Sequence, residues 1–255
     1  MNRLKAMTAG QILDRALKLL ANNLALAVGI VALVYVPYYA VVFYLESSAP
    51  GDEPGVAASF IGFVTTLLWI GFLMPLATGA MTFAVSERYL NRPVSIGEAF
   101  GKAVRRFGVL IIAQIIAGII VFLGYLLFII PGILWWLSYA LIAPVVMLES
   151  LGPDRSRVRS KELASGLRWK IFVVTLVIGL GGLFVYGGLG FIVGLTLPPD
   201  SPSAALASRV IQVLVELIQF PLGSIATVLI YYDARIRKEG FDLEMLSNAL
   251  GRQPV

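Results

Sequence analysis

Of the 255 residues, 58% are hydrophobic and only 14% charged, with a net charge of +5; soluble domains carry roughly 45–50% apolar and about 25% charged residues, and here the excess is gathered into long blocks, the pattern of a membrane protein rather than a soluble core. The chain has no cysteine and no histidine, so disulfides, thiolate or imidazole metal sites and catalytic pairs built on Cys or His are excluded. Composition alone leaves open a carboxylate-only metal site or a Lys or Ser nucleophile.

The first 22 residues are polar and amphipathic, and the first apolar block, 24–45, comes directly after them. A bilayer core of about 30 Å takes about 20 apolar residues as helix, so this block is long enough to span. A cleaved signal peptide has a shorter apolar core and a small-residue cleavage site, so a retained anchor is expected here. The second block, 57–85, is long and carries Pro75 in its middle, where a kink or tilt would absorb the excess. The third, 108–148, is long enough for two crossings and contains Pro131 next to Gly132, a helix breaker beside a turn former. Split there, it gives spans at 108–130 and 133–148. The block 171–197 is glycine-rich, and Gly190 and Gly194 have the small-xxx-small spacing of tightly packed helices; packing within the bundle is expected. The last block is 205–232. The expectation is an all-α polytopic membrane protein: one integral membrane domain over 1–255 with six transmembrane helices.

The charges support that count. Four Lys or Arg precede the first span, five fall in 86–107, six in 149–170 and four after Tyr232, whereas 46–56, 131–132 and 198–204 have none. Nineteen of the twenty basic residues therefore lie on one side, the arrangement of six spans with both termini cytoplasmic. Ten acidic residues share that side and leave it at +9; Glu46, Asp52, Glu53 and Asp200 set the other at −4. The sequence pI near 9.5 thus reflects orientation in the membrane and contact with anionic headgroups on the cytoplasmic face. No basic stretch is interleaved with stacking aromatics, so nucleic-acid binding is not expected.

An internal repeat organises the chain. TAGQILDRALKLL (8–20) aligns without gaps to SIGEAFGKAVRRF (95–107). Apolar residues at 9, 12, 13, 16, 17 and 20, and at 96, 99, 100, 103, 104 and 107, make one stripe of an amphipathic helix. Thr8 with Gln11 and Ser95 with Glu98 have the spacing of capping boxes. Each helix would lie on the cytoplasmic side just before a span, in the headgroup region or docked under the bundle. SRVRSKELASGLRWK (156–170) precedes the fifth span in the same way, with a looser match and an ambiguous register. The chain reads as three parallel units of interfacial helix plus hairpin.

Two stretches, PGILWWLSYALIAPVVMLESLGPDRSRVRSKELASGLRWKIF (131–172) and YYDARIRKEGFDLEML (231–246), resemble the membrane domain attached to some bacterial glycerophosphoryl diester phosphodiesterases and found also as stand-alone membrane proteins. The matching positions are Pro131, Gly132, Pro144, Glu149, Ser160, Gly166 and Trp169, then Tyr232, Asp233, Arg235, Arg237, Lys238, Gly240, Phe241 and Asp242. The resemblance implies a six-helix membrane domain covering most of the chain. The phosphodiesterase itself would be an α/β barrel with His in its site; this chain has no histidine and no room for a barrel, so its catalysis is not carried over and no enzyme is expected. Physically, Asp233, Arg235, Arg237 and Lys238 sit at the cytoplasmic end of the last span, where cations complement the helix dipole and the anionic leaflet, and Gly240 is placed to end the helix. Phe241, Met245, Leu246, Ala249 and Leu250 could form a further short helix.

The last span also carries an arginine and a glutamate. Arg209, Gln212, Glu216 and Gln219 are spaced by three, four and three and share one face, which Gly223 continues. Glu216 lies roughly 16 Å along the helix from Ala205, near the midplane, and about 10 Å from Arg209, too far for easy pairing. An ionised group there must face protein or water. Candidate partners on other spans are Thr65, Thr66, Gln114, Tyr139, Thr175 and Tyr186. Three readings stay open at this point: a satisfied polar network, an outward-open polar cavity for a lipid or amphiphile head, and a proton-coupled carrier titrating Glu216. The expected function is non-enzymatic binding or translocation of a lipid or other amphiphile at this polar intramembrane site. The alternative is a structural or regulatory subunit acting on a protein partner through its basic helices, with Arg105, Arg106, Arg157 and Arg159 exposed for contact. No cofactor or metal is expected.

Overall fold

The computed structural model describes residues 6–47, 56–198 and 201–240. Every regular element among them is helical: α1 (Ala9–Asn22), α2 (Leu24–Ser47), α3 (Val56–Leu68), α4 (Met74–Tyr89), α5 (Ile96–Leu127), α6 (Ile129–Tyr139), α7 (Ile142–Glu149), α8 (Pro153–Ala164), α9 (Arg168–Thr196) and α10 (Pro202–Glu239), with a π-helical turn, Trp69–Leu73, joining α3 to α4. Six stretches are long and apolar enough to cross a membrane: Leu24–Leu45, Ser59–Tyr89, Ile96–Leu127, Ile129–Glu149, Arg168–Thr196 and Pro202–Glu239. The protein is an all-α, multi-pass membrane protein. Phe241, Met245, Leu246, Ala249 and Leu250 lie outside the described residues.

Both capping boxes form. Gln11 N donates to Thr8 Oγ1 at 3.3 Å while Thr8 N donates to Gln11 Oε1 at 2.9 Å; Glu98 N donates to Ser95 Oγ at 3.2 Å while Ser95 N donates to Glu98 Oε2 at 2.7 Å. The two repeats bury equivalent residues, Ile12 and Ala16 in one, Ala99 and Ala103 in the other, and expose the equivalent Leu17 and Val104. They differ in how the interfacial helix joins its span. Asn23 separates α1 from α2, and its Nδ2 donates to Leu19 O at 3.0 Å. Gly166, with φ of +78°, separates α8 from α9. The second repeat has no break: α5 runs 32 residues from interface into membrane as one helix. A new helix start exposes four N–H groups, and 103–109 offers no Ser, Thr, Asn or Asp to cap them, so continuing the helix is the cheaper course.

The turn between the third and fourth spans falls at extended Phe128, not at Pro131 and Gly132. Pro131 sits in the first turn of α6, where its missing N–H is no loss. Gly132 is there for close approach: a Cβ on it would fall 2.5 Å from the Tyr125 ring, and one on Gly124 would lie 3.0 Å from Gly132 Cα. Pro75 does perturb its span, in the form of the π turn. Met74 N donates five residues back to Trp69 O, and the widened turn makes room for the proline ring just beyond it.

The fourth span is broken between α6 and α7, where Pro144 removes a donor from the first turn of α7. Ser160 of α8, wholly buried, repairs the break. Its hydroxyl accepts from Leu141 N at 3.2 Å and donates to Ser138 O at 3.0 Å. The buried face of α8 is Ser156, Ser160, Leu163 and Ala164, half of it hydroxyl, which accounts for the ambiguous register of this unit in the sequence.

Burial is lopsided. The largest wholly buried side chains, among them Ile12, Met81, Met147, Leu163, Leu229 and Tyr231, lie toward the face that carries the basic segments. Toward the opposite face the helices splay, leaving Phe60, Phe122, Phe184, Phe191 and Leu195 exposed. Beyond Val174, α9 buries no residue. Gly187, Gly188, Gly190 and Gly194 have open space where a Cβ would go, so the expectation that they mediate tight packing within the bundle is corrected. Glycine makes close contact possible, but close contact needs a facing helix, and in this half α9 has none against those positions.

Candidate functional site

The polar stripe of α10 divides between two environments. Glu216 faces α2, where Tyr39 Oη donates to its Oε2 at 2.6 Å. Gln212 bridges the two charged groups: its Nε2 donates to Glu216 Oε1 and to Tyr39 Oη, each at 3.3 Å, and its Oε1 accepts from Arg209 Nη1 at 3.3 Å. Arg209 and Glu216, two turns apart, are thus joined through an amide rather than directly. Aromatic rings pack beside this network: Trp69 stacks on Tyr38 with centroids 4.1 Å apart, meets Tyr35 edge-on at 4.4 Å, and Tyr35 lies 5.3 Å from Phe220. None of the six candidate partners bonds Glu216; its partner on another span is Tyr39, which the helical spacing of α10 gave no reason to single out. Thr65 and Thr66 donate to their own helix, and Tyr186 is exposed.

Gln219 points elsewhere, into a cavity of about 670 Å³ between α4, α5, α6, α7, α9 and α10, where the tight half of the bundle gives way to the splayed half. Each long helix contributes polar or small residues four apart: Thr78 and Thr82, Gln114 and Gly118, Thr175 and Gly179, Gln219 with Gly223 and Thr227. That spacing puts each set on one helix face. Tyr139 enters from the end of α6 and Ser224 from α10. Gln114, Tyr139 and Ser224 make no hydrogen bond to any described residue. An amide and two hydroxyls without partners among the described residues, on helices apolar enough to span a membrane, require a polar molecule, whether water or ligand, because hydrocarbon cannot satisfy them.

Gln219 also forms the wall between this cavity and a lateral groove. The groove, about 430 Å³, runs between α9 and α10 and is lined almost wholly by apolar side chains, with Leu13 and Leu17 of α1 at its basic-face end. Cavity and groove share Gln219 and Ile178. Gln219 Nε2 reaches Ile178 O at 3.5 Å, and its amide lies where a side chain on residue 182 would begin. Gly182 is the glycine of α9 that the packing requires, since any larger residue displaces that amide.

The charged residues of the basic face bond mainly to one another. Asp233, wholly buried, accepts from Met7 N at 2.6 Å, Lys170 Nζ at 2.5 Å and Arg237 Nε at 3.0 Å. Lys170 Nζ and Arg237 Nη2 also donate to Met7 O, at 2.7 and 3.1 Å, so one carboxylate ties the start of α1, the start of α9 and the end of α10 together. Glu149 accepts from Arg159 Nε at 2.8 Å and Tyr231 Oη at 3.0 Å. Arg159 pairs also with Glu239, which accepts from Arg235 Nε at 2.9 Å. Partial burial would lower the Arg159 guanidinium, but hydrogen bonds and the charges of Glu149 and Glu239 carry it above its ordinary value. Lys238 donates to the Glu162 carbonyl, and Arg157 pairs with Asp154 at 2.5 Å. Gly240 adopts the left-handed conformation that ends α10. Arg105 is exposed and Arg106 partly buried.

Among the described residues no group of three or more acidic side chains could hold a metal ion. The cavity signal was present in the sequence as polar and small residues four apart in four apolar helices. Gln114, Tyr139 and Thr175, expected to meet Glu216, line the cavity with Gln219 instead. Comparison with protein families, with curated proteins and with solved structures gives no match.

Proposed function

We propose that this protein binds or translocates an amphiphile within a bacterial inner membrane, holding the head group in the central cavity and a tail in the α9–α10 groove. The observation that carries this reading is the convergence of Gln114, Tyr139 and Ser224, without partners among the described residues, on a cavity between the membrane-spanning helices. Its volume of about 670 Å³ lies within the roughly 300–1,000 Å³ of small-molecule sites. An apolar groove sharing a wall with a polar cavity is the layout an amphiphile needs, and Gln219 against Gly182 stands at the junction. The reaction class is non-enzymatic. The concentration of Lys and Arg on one side argues for a cytoplasmic basic face with both ends of the chain on it, in contact with anionic headgroups. The resemblance to the phosphodiesterase-associated membrane domain supports a membrane role without supplying a substrate.

The test is lipid mass spectrometry of protein purified in a mild detergent. Gln114→Leu combined with Ser224→Ala should strip a co-purifying amphiphile that the wild type retains, whereas Tyr39→Phe, which touches only the Glu216 network, should retain it. Identical lipid content in wild type and double variant would refute the reading.

A further inference from the structure

The lining of the cavity specifies the head group more closely, an inference that rests on the amphiphile reading. Three of its hydroxyls have their protons engaged within their own helices: Thr78 Oγ1 donates to Met74 O at 2.8 Å, Thr175 Oγ1 to Ile171 O at 2.8 Å and Thr227 Oγ1 to Gly223 O at 2.9 Å. What these three turn to the cavity is lone pairs, so they accept and do not donate. Gln114, Tyr139 and Ser224 can do both. No Asp, Glu, Lys or Arg lines the space. Glu216 of α10 bonds toward α2, and the charge clusters around Asp233 and Glu149 lie at the basic face, outside this lining.

A phosphate carries at least one full negative charge at neutral pH. In this cavity it would find the donors of Gln114, Tyr139 and Ser224 but no cation, and an ion buried without a counter-charge carries a large desolvation penalty. An ammonium would find acceptors but no carboxylate. A neutral hydroxyl donates to the threonine oxygens, and any ester carbonyl beside it can accept from the Gln114 amide, Tyr139 or Ser224. We infer that the cavity takes the head of an uncharged, hydroxyl-bearing amphiphile of the glyceride type, and discriminates against the same molecule carrying a phosphate.

Two probes differ by that one group: dioleoylglycerol and dioleoyl phosphatidic acid share backbone and tails. Full-length protein in nanodiscs containing equal small fractions of both is released into a mild detergent, and native mass spectrometry counts the lipid retained. Only the portion lost in Gln114→Leu is scored, with Tyr139→Phe as a second, more conservative variant in case the first folds poorly. The expected result is at least tenfold preference for dioleoylglycerol in that portion. Equal or greater Gln114-dependent retention of phosphatidic acid would overturn the head-group assignment and leave the amphiphile reading standing. If neither lipid shows retention sensitive to Gln114 or Tyr139, both the assignment and the reading beneath it fail.

Discussion

Ser156 and Ser160 offer a controlled comparison inside one helix. They lie one turn apart on α8, and both are wholly buried. Ser160 joins Leu141 N to Ser138 O across the break in the fourth span. Ser156 Oγ has no hydrogen-bond partner among the described residues. Ser160→Ala removes a single oxygen but orphans one buried N–H and one buried C=O. Each such group costs about 1–3 kcal/mol, and side-chain hydrogen bonds within membranes fall toward the low end of such values. Straightening the helix to recover its own bonds is blocked by Pro144. We therefore expect Ser160→Ala to destabilise by about 2–4 kcal/mol. Ser156→Ala deletes a group that is already unpaired and should be neutral or slightly stabilising, at a similar change in volume. Unfolding in mild detergent, driven by titration with a denaturing detergent or by heat, reads both variants side by side. A loss from Ser156→Ala as large as that from Ser160→Ala would show that packing, and not the hydrogen-bonded repair of the break, decides stability there.

The buried carboxylate at the basic face predicts a larger effect. Asp233→Ala leaves Lys170 and Arg237 without their counter-charge and should destabilise by about 3–5 kcal/mol, as breaking a buried pair does; hydrogen exchange at the Met7 amide should rise with it, and unchanged protection at Met7 would count against the tie. Gly182→Val should displace the Gln219 amide and abolish retention of the amphiphile while the protein still folds, since residue 182 faces an open groove on its remaining sides; retention at the wild-type level would separate the groove from the site. Gly132→Ala should cost about 1–3 kcal/mol by overpacking against Tyr125, and Tyr125→Ala should restore most of it; an additive double variant would refute the contact as the cause. With no native cysteine, single cysteines at Ser203 and Arg92 should react with impermeant thiol reagents from opposite sides of the membrane; labelling from one side would break the six-span topology.

The elements most legible in the sequence were those set by local chemistry. The capping boxes at Thr8 and Ser95, the C-terminal Gly240 and the six apolar stretches depend on neighbours a few residues away, and they form where the local sequence puts them. What the sequence hid depended on what faces what. Pro131 and Gly132 read as a breaker and a turn, yet the chain reverses at Phe128, because Gly132 is needed where α6 presses on Tyr125. The glycines of α9 read as a packing surface, yet only Gly182 meets a close side chain, because the others face open space rather than the α10 side of the helix. The stripe of α10 shows the same limit most clearly. Helical periodicity placed Glu216 and Gln219 on one face, correctly, but a face wide enough to hold both spans two neighbours: α2 on one flank, the cavity on the other. The glutamate, dear to desolvate, is held by Tyr39 and Gln212 on the α2 flank, while the neutral glutamine stands at the cavity wall. A charged residue inside a membrane draws attention because it is costly, and the same cost presses a fold to satisfy it internally. Neutral polar groups such as Gln114 and Ser224 can be left without a protein partner at a smaller penalty, so in this bundle they, rather than the ions, are the groups free to meet a ligand.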